Sequence, residues 1–180
     1  GDTVLGTTVT TFVDTTVNTS TIYTYSGDYL DVSYVLKGMH EKIPASAGTY
    51  FEIQSMTQFD KTVDQKMLYT YSFKGSTLID KDGVIGLIAD RTNDSVVNPI
   101  FVSDIAGQVN TSTIYNYSGD YLNYSMVLKG KKEFATEGDT IQSYTKFDVS
   151  PEQKMLYTYS FKGDTVLGTT VTTFVDTTVN

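Results

Sequence analysis

A chain of 180 residues with a formal net charge of -8 has the length for a substantial core and lacks the clustered Lys and Arg that nucleic acid rewards. Zero cysteine excludes disulfides, thiol nucleophiles and thiolate metal sites, and no apolar run approaches the ~20 residues of a membrane helix. No basic stretch followed by an apolar one opens the chain, and its first residue is Gly, so a processed product or an excised piece is expected.

The chain opens on Gly1 to Asn18, GDTVLGTTVTTFVDTTVN, and closes on the same words at Gly163 to Asn180. Eleven of these eighteen residues are Val or Thr, whose branched Cβ suits a pleated strand. A long strand or a kinked strand pair is expected, with Gly6 as the site of a bulge or bend. If one slot fits this sequence, two equal segments compete for it, and the loser is an edge that recruits another chain. The residues expected to make that assembly strand are Leu5, Val9, Phe12, Val13 and Val17, with Leu167, Val171, Phe174, Val175 and Val179 in the second copy.

Behind the first copy stand two unequal repeats. TSTIYTYSGDYL at Thr19 to Leu30 returns as TSTIYNYSGDYL at Thr111 to Leu122, and QKMLYTYSFKG recurs unchanged at Gln65 to Gly75 and Gln153 to Gly163. The organisation is thus 1–18, a duplicated terminal strand; 19–110, a first unit carrying an insertion at 80–97; and 111–180, a second unit ending in the second copy. One core shared by both units is expected, since a unit of the second one's size is marginal alone.

Each unit reads as antiparallel strands. Ile22 to Tyr25, the turn Ser26-Gly27-Asp28 and Tyr29 to Leu36 form a hairpin signal, with Leu30, Val32, Tyr34 and Leu36 on one face, and Leu122, Tyr124, Met126 and Leu128 their counterparts. Met67, Tyr69, Tyr71 and Phe73 share a face, as do Met155, Tyr157, Tyr159 and Phe161. The segment 39–48 is an irregular connection, and Ser150 to Gln153, with Pro151, reads as one helical turn, the only helix the pattern supports. In the insertion a turn at Asp80 to Gly83 precedes apolar Val84 to Ala89, and a strand from Val96 to Val102 is interrupted by Pro99.

The expected fold is therefore all-β, an antiparallel sandwich or jelly-roll-like barrel built from the two repeats and the duplicated strand. An outer-membrane barrel is disfavoured, because a lipid-facing belt alternates apolar residues more consistently than these Thr-rich stretches do.

Chemistry is sparse. His40 is the only histidine, and without a partner imidazole, thiol or nucleophile motif it reads as a solvated loop residue rather than part of a zinc site or triad, so no enzyme activity is expected. Asp80, Asp82, Asp90 and Asp94 begin a calcium-like loop but lack its closing Glu, and a plain acidic turn is favoured. No other cofactor is implied. Sequons at Asn18, Asn93, Asn110, Asn116 and Asn123, with the Tyr, Thr, Ser and Asn content, point to an extracellular or cell-surface glycoprotein. Tyr23, Tyr25, Tyr29, Tyr115, Tyr117 and Tyr121 flank the two Ser-Gly-Asp turns, as sheet packing or as a carbohydrate-binding surface.

The leading expectation is a structural protein that associates with itself head to tail by strand donation, as a filament or a tandem array. A monomeric module binding a sugar or a small apolar ligand is the second reading. A strand duplication introduced by design is the third, and recent natural duplication would give the same identity.

Overall fold

A computed structural model describes residues 17–46, 48–75, 77–81, 85–88, 101–102, 105–168 and 174–175. The hairpin signal folds as β1 (Thr19–Ser26) and β2 (Tyr29–Lys37), paired antiparallel across Gly27-Asp28. Gly27 has a φ of 62°, the left-handed conformation that the first position of a II′ hairpin demands. After the irregular connection come β3 (Phe51–Phe59) and β4 (Met67–Phe73). The rest of the first unit supplies β5 (Leu78–Ile79), β6 (Ile85–Ile88) within the insertion, β7 (Phe101–Val102) and one helical turn, α1 (Ile105–Gln108). The second unit repeats the pattern as β8 (Val109–Ser118), β9 (Tyr121–Lys129), β10 (Ile141–Phe147) and β11 (Met155–Ser160), then β12 (Val166–Leu167) and β13 (Phe174–Val175).

The fold is all-β and antiparallel. Its long strands form one ladder in the order β1-β2-β3-β4-β8-β9-β10-β11, with β5, β6 and β7 branching from β3, and β12 paired to β13 apart from it. The sheet does not close among the described residues, which agrees with the sandwich of the two forms expected: β1 and β11 are its two ends there, each with one ladder partner. The two units pair in matching registers. Thr19 faces Lys37 as Thr111 faces Lys129, and the ladder shifts at Thr24/Tyr25 as at Asn116/Tyr117.

The alternation predicted for each strand gives the sheet two unlike faces. One row runs Thr24, Val32, Gln58, Tyr69, Ile114, Met126, Tyr144, Tyr159. The row behind it runs Tyr23, Ser33, Thr57, Thr70, Thr113, Val127, Ser143, Ser160, small and mostly hydroxylic. Thr57 and Thr70 share a hydroxyl hydrogen bond of 2.8 Å there, and Thr145 and Thr158 one of 2.9 Å.

Two buried clusters lie on the apolar side. Leu36, Ile53, Ile79 and Ile85 form one, with Ile105 of α1 against it; Ile114, Met126, Leu128, Ile141, Tyr144 and Leu167 form the other, with Tyr69 of the first unit packed onto it.

Two local expectations are corrected. Ser150 to Gln153 is a turn closed by the Gln153 N–H on the Ser150 carbonyl at 3.0 Å, not a helical turn, because Val149 just before it and Gln153 at its end adopt positive φ. The helical turn lies instead at α1, where four residues after Pro99 turn the chain into β8.

Candidate functional site

Each unit holds a bay beside its third long strand, filled by the residues that follow its aromatic strand. In the first, the Ile53 N–H donates to Thr77 O at 2.9 Å and Ile79 pairs with Phe51; in the second, Ile141 N–H donates to Thr165 O at 2.9 Å. Leu167 is 1% exposed there, and its N–H donates to Asp139 O while Gly138 N–H donates to Leu167 O, both at 2.9 Å. Thr77 and Thr165 pin the entries, their hydroxyls donating to Lys74 O at 2.7 Å and Lys162 O at 3.4 Å. The sequence Thr165-Val166-Leu167 therefore already occupies a site in its own protomer.

Asp139 braces the second bay. Its carboxylate accepts from Thr136 N–H at 2.8 Å and Thr136 Oγ1 at 2.9 Å, and pairs with Lys132. Burial pushes this carboxyl up, but the Lys132 and Thr136 donors and the Lys132 charge outweigh it and hold the group below its ordinary value. A carboxyl depressed on folding contributes stability that is fully present above its unfolded pKa and lost as pH falls through the folded one. Acid titration below the ordinary Asp value of 3.8 should therefore loosen the bay, and Asp139→Asn should flatten that part of the stability profile, read by denaturant melts at stepped pH.

Between the units lies a second feature that the repeat pattern alone did not disclose: β4 pairs with β8, joining unit to unit. Tyr69 faces Ile114, Thr70 faces Thr113, Tyr71 faces Ser112, Ser72 faces Thr111 and Phe73 faces Val109. Tyr71 is 1% exposed, and its hydroxyl donates to Glu133 Oε1 at 3.2 Å. Burial, with Tyr69 and Glu133 beside it, raises the phenol far above its usual range and keeps it a neutral donor. Lys66 crosses the joint to Asp120 Oδ1 at 3.2 Å and Gly119 O at 3.1 Å, and its ammonium lies 5.8 Å from the Tyr117 ring centre. The Asp64 and Asp120 hydrogen bonds raise its pKa. Ser112 is fully buried, donating to Gly130 O at 2.7 Å and accepting from Lys132 N–H at 2.8 Å.

At the ends of the sheet the same words stand without that neighbour among the described residues. β11 has the sequence of β4, and every residue of it is exposed. Tyr159, the twin of Tyr71, is 51% exposed. β1 has nearly the sequence of β8 from Thr111 on, and Val-Asn precedes that stretch in both, at Val17-Asn18 and Val109-Asn110.

Of the residues expected to make the assembly strand, Leu5, Val9, Phe12, Val13, Val171 and Val179 lie outside the described residues. Val17 is half-buried, Leu167 fills the bay, and Phe174 and Val175 form β13 opposite Leu167 and Val166. The six tyrosines separate by position. Tyr23, Tyr25 and Tyr29 are exposed at the free end, whereas Tyr115, Tyr117 and Tyr121 are half-buried, the Tyr115 hydroxyl 3.4 Å from that of Thr70 on β4.

Asn18 and Asn110 are exposed. Asn123 donates to Asn116 Oδ1 at 3.2 Å and accepts from Lys146, and Asn93 lies outside the described residues. Asp80 is described, Asp82, Asp90 and Asp94 are not, and no group of three or more acidic or imidazole side chains gathers among the described residues. His40 is not the solvated residue expected: it stacks on Phe51 at 3.9 Å between ring centres, and Nε2 lies 2.8 Å from Lys37 O. No helix among the described residues is long and apolar enough to cross a membrane.

Comparison of the chain with protein-family models, with curated proteins and with solved structures finds no match.

Proposed function

We propose that the chain is an extracellular or cell-surface structural module that associates head to tail, as a filament of separate molecules or a run of tandem repeats, through its duplicated strand. The observation that carries this reading is a mismatch between segments and sites. The described residues hold two bays, and Thr77 to Ile79 and Thr165 to Leu167 fill both in cis. Gly1 to Asn18 is a further copy of the second filler by sequence, and the described residues form no third bay of this kind.

Thr3-Val4-Leu5 matches Thr165-Val166-Leu167 atom for atom, so it fits the second bay of another molecule as well as the resident segment does. Exchange of one for the other conserves every contact in the bay, and main-chain hydrogen bonds with one buried Leu supply the affinity. A donor at one end and an acceptor at the other make a heterologous contact, which propagates.

Deleting Gly1 to Asn18 should leave the fold from Thr19 onward intact and give smaller particles than the full chain in light scattering over a concentration series. A deleted chain as large as the intact one would refute donation. The sugar-binding alternative rests on the exposed Tyr23, Tyr25 and Tyr29, whose buried-side twins pack against protein, so the exposed set is better accounted for by a missing neighbour.

A further inference from the structure

We propose that the two ends of the sheet are the two halves of one interface: β11 of one copy pairs antiparallel with β1 of a second copy, in the register that β4 and β8 use inside the chain. This rests on the head-to-tail reading above but not on strand donation, since it uses a different surface and needs no segment to be exchanged.

The chain carries its own template for this joint. Adding 88 to the numbers of β4 gives β11, and subtracting 92 from those of β8 gives β1, so the internal pairs become Tyr157 with Ile22, Thr158 with Thr21, Tyr159 with Ser20, Ser160 with Thr19 and Phe161 with Val17. Every residue on the β11 side is identical to its template, and so is every one on the β1 side.

The surrounding parts are also in place. Ser20 donates to Gly38 O at 2.7 Å and accepts from His40 N–H at 2.8 Å, the same hub that Ser112 makes with Gly130 and Lys132. That hub sets Glu41 where Glu133 stands in the internal joint, ready to accept from the Tyr159 hydroxyl as Glu133 accepts from Tyr71. Lys154 is the counterpart of Lys66 and Asp28 that of Asp120; the Lys154 side chain is 69% exposed where that of Lys66 is 20% exposed. The opposite charges at the two ends match, as Lys66 and Asp120 do within the chain.

Neither end is protected as solitary edges are. β1 and β11 contain no Pro, Lys, Arg, Asp or Glu, and β11 presents Met155, Leu156, Tyr157 and Tyr159 to solvent. Long uncharged edge strands of this kind template pairing with another chain.

Because the chain has no cysteine, engineered pairs read the joint directly. Thr21→Cys with Thr158→Cys places one thiol at each end of the sheet, seven interstrand gaps or roughly 33 Å apart, too far for a bond within one molecule. Residues directly opposite across an antiparallel pair have Cα atoms about 4.5–5.5 Å apart, within disulfide reach, while a partner two residues along is beyond it. Thr19→Cys with Thr158→Cys is that displaced pair, and Thr70→Cys with Thr113→Cys is the internal control that should close within one chain.

Mild oxidation of the full-length double variants, followed by non-reducing gels, should give a ladder of covalent oligomers for 21/158 at roughly tenfold or greater yield over 19/158, given how steeply bridging depends on geometry. Equal ladders from both pairs, or a stronger one from 19/158, would overturn the register and with it the proposal. Growth in light scattering without any 21/158 ladder, while the 70/113 control closes, would overturn this interface and leave strand donation standing. A chain that neither cross-links nor grows would end both.

Discussion

Replacing Tyr71 by Ala is expected to cost about 3–5 kcal/mol of folding stability, and replacing Tyr159 by Ala less than about 1 kcal/mol. The two residues sit in the same eleven-residue sequence, on the same face of a strand paired on one side with the same register of partners. Only the second neighbour differs. Tyr71 is covered by β8 and hydrogen-bonded to Glu133, so truncation removes a large buried ring and leaves a polar partner behind. Tyr159 is half in water, its ring tilted by 42° against that of Tyr157 at 5.0 Å between ring centres. Urea unfolding of the dilute chain measures this contrast. The same Tyr159→Ala chain should grow less than the parent in light scattering at matched concentration, as the proposed cover of the ring by a second molecule requires. Equal losses of folding stability in the two variants would mean that Tyr159 is already covered within its own protomer.

The second large effect concerns the duplicated segment. Leu167→Ala should cost about 2–5 kcal/mol, since the side chain is fully buried among Ile114, Met126, Leu128, Ile141 and Tyr144. Leu5→Ala should leave the stability of the isolated chain nearly unchanged. Their effects on association should be opposite in sign. Weakening the resident filler by about 3 kcal/mol while leaving the donor intact favours exchange by more than a hundredfold, so Leu167→Ala should lengthen assemblies. Weakening the donor should shorten them. Sedimentation of the two variants at matched concentration separates these outcomes, and a shift of both in one direction would contradict a shared bay.

Period-two alternation and the Gly27 and Gly119 turns made the long strands readable from sequence, and the duplicated words aligned β1 with β8 and β4 with β11. Val32, Leu36, Leu122, Met126 and Leu128 are buried as their alternation requires. The apolar face of β4 was equally clear, but that its twin in β11 would be uncovered was not, since neighbours across a joint leave no trace in local pattern. The β4–β8 pairing is a contact between segments separated by the insertion and its flanks, where β5, β6 and α1 are too short to show a period. The bay was hidden for a related reason. It rests on Asp139 and Thr136, an ion-paired turn whose residues read singly as loop, and on the two-residue strand β12. The turn at Ser150 was misjudged because Pro151 favours a helix start and a β-turn equally, and only the positive φ of Val149 and Gln153 decides.

The open meander has a geometric corollary at larger scale. Strands in a twisted sheet rotate by about 20–25° each and advance about 4.8 Å, so eight long strands per molecule would accumulate roughly half a revolution over close to 40 Å. Copies joined end to end at that increment form a ribbon whose hydroxylic and aromatic sides swap places with every molecule along the axis, giving a crossover spacing legible in electron micrographs.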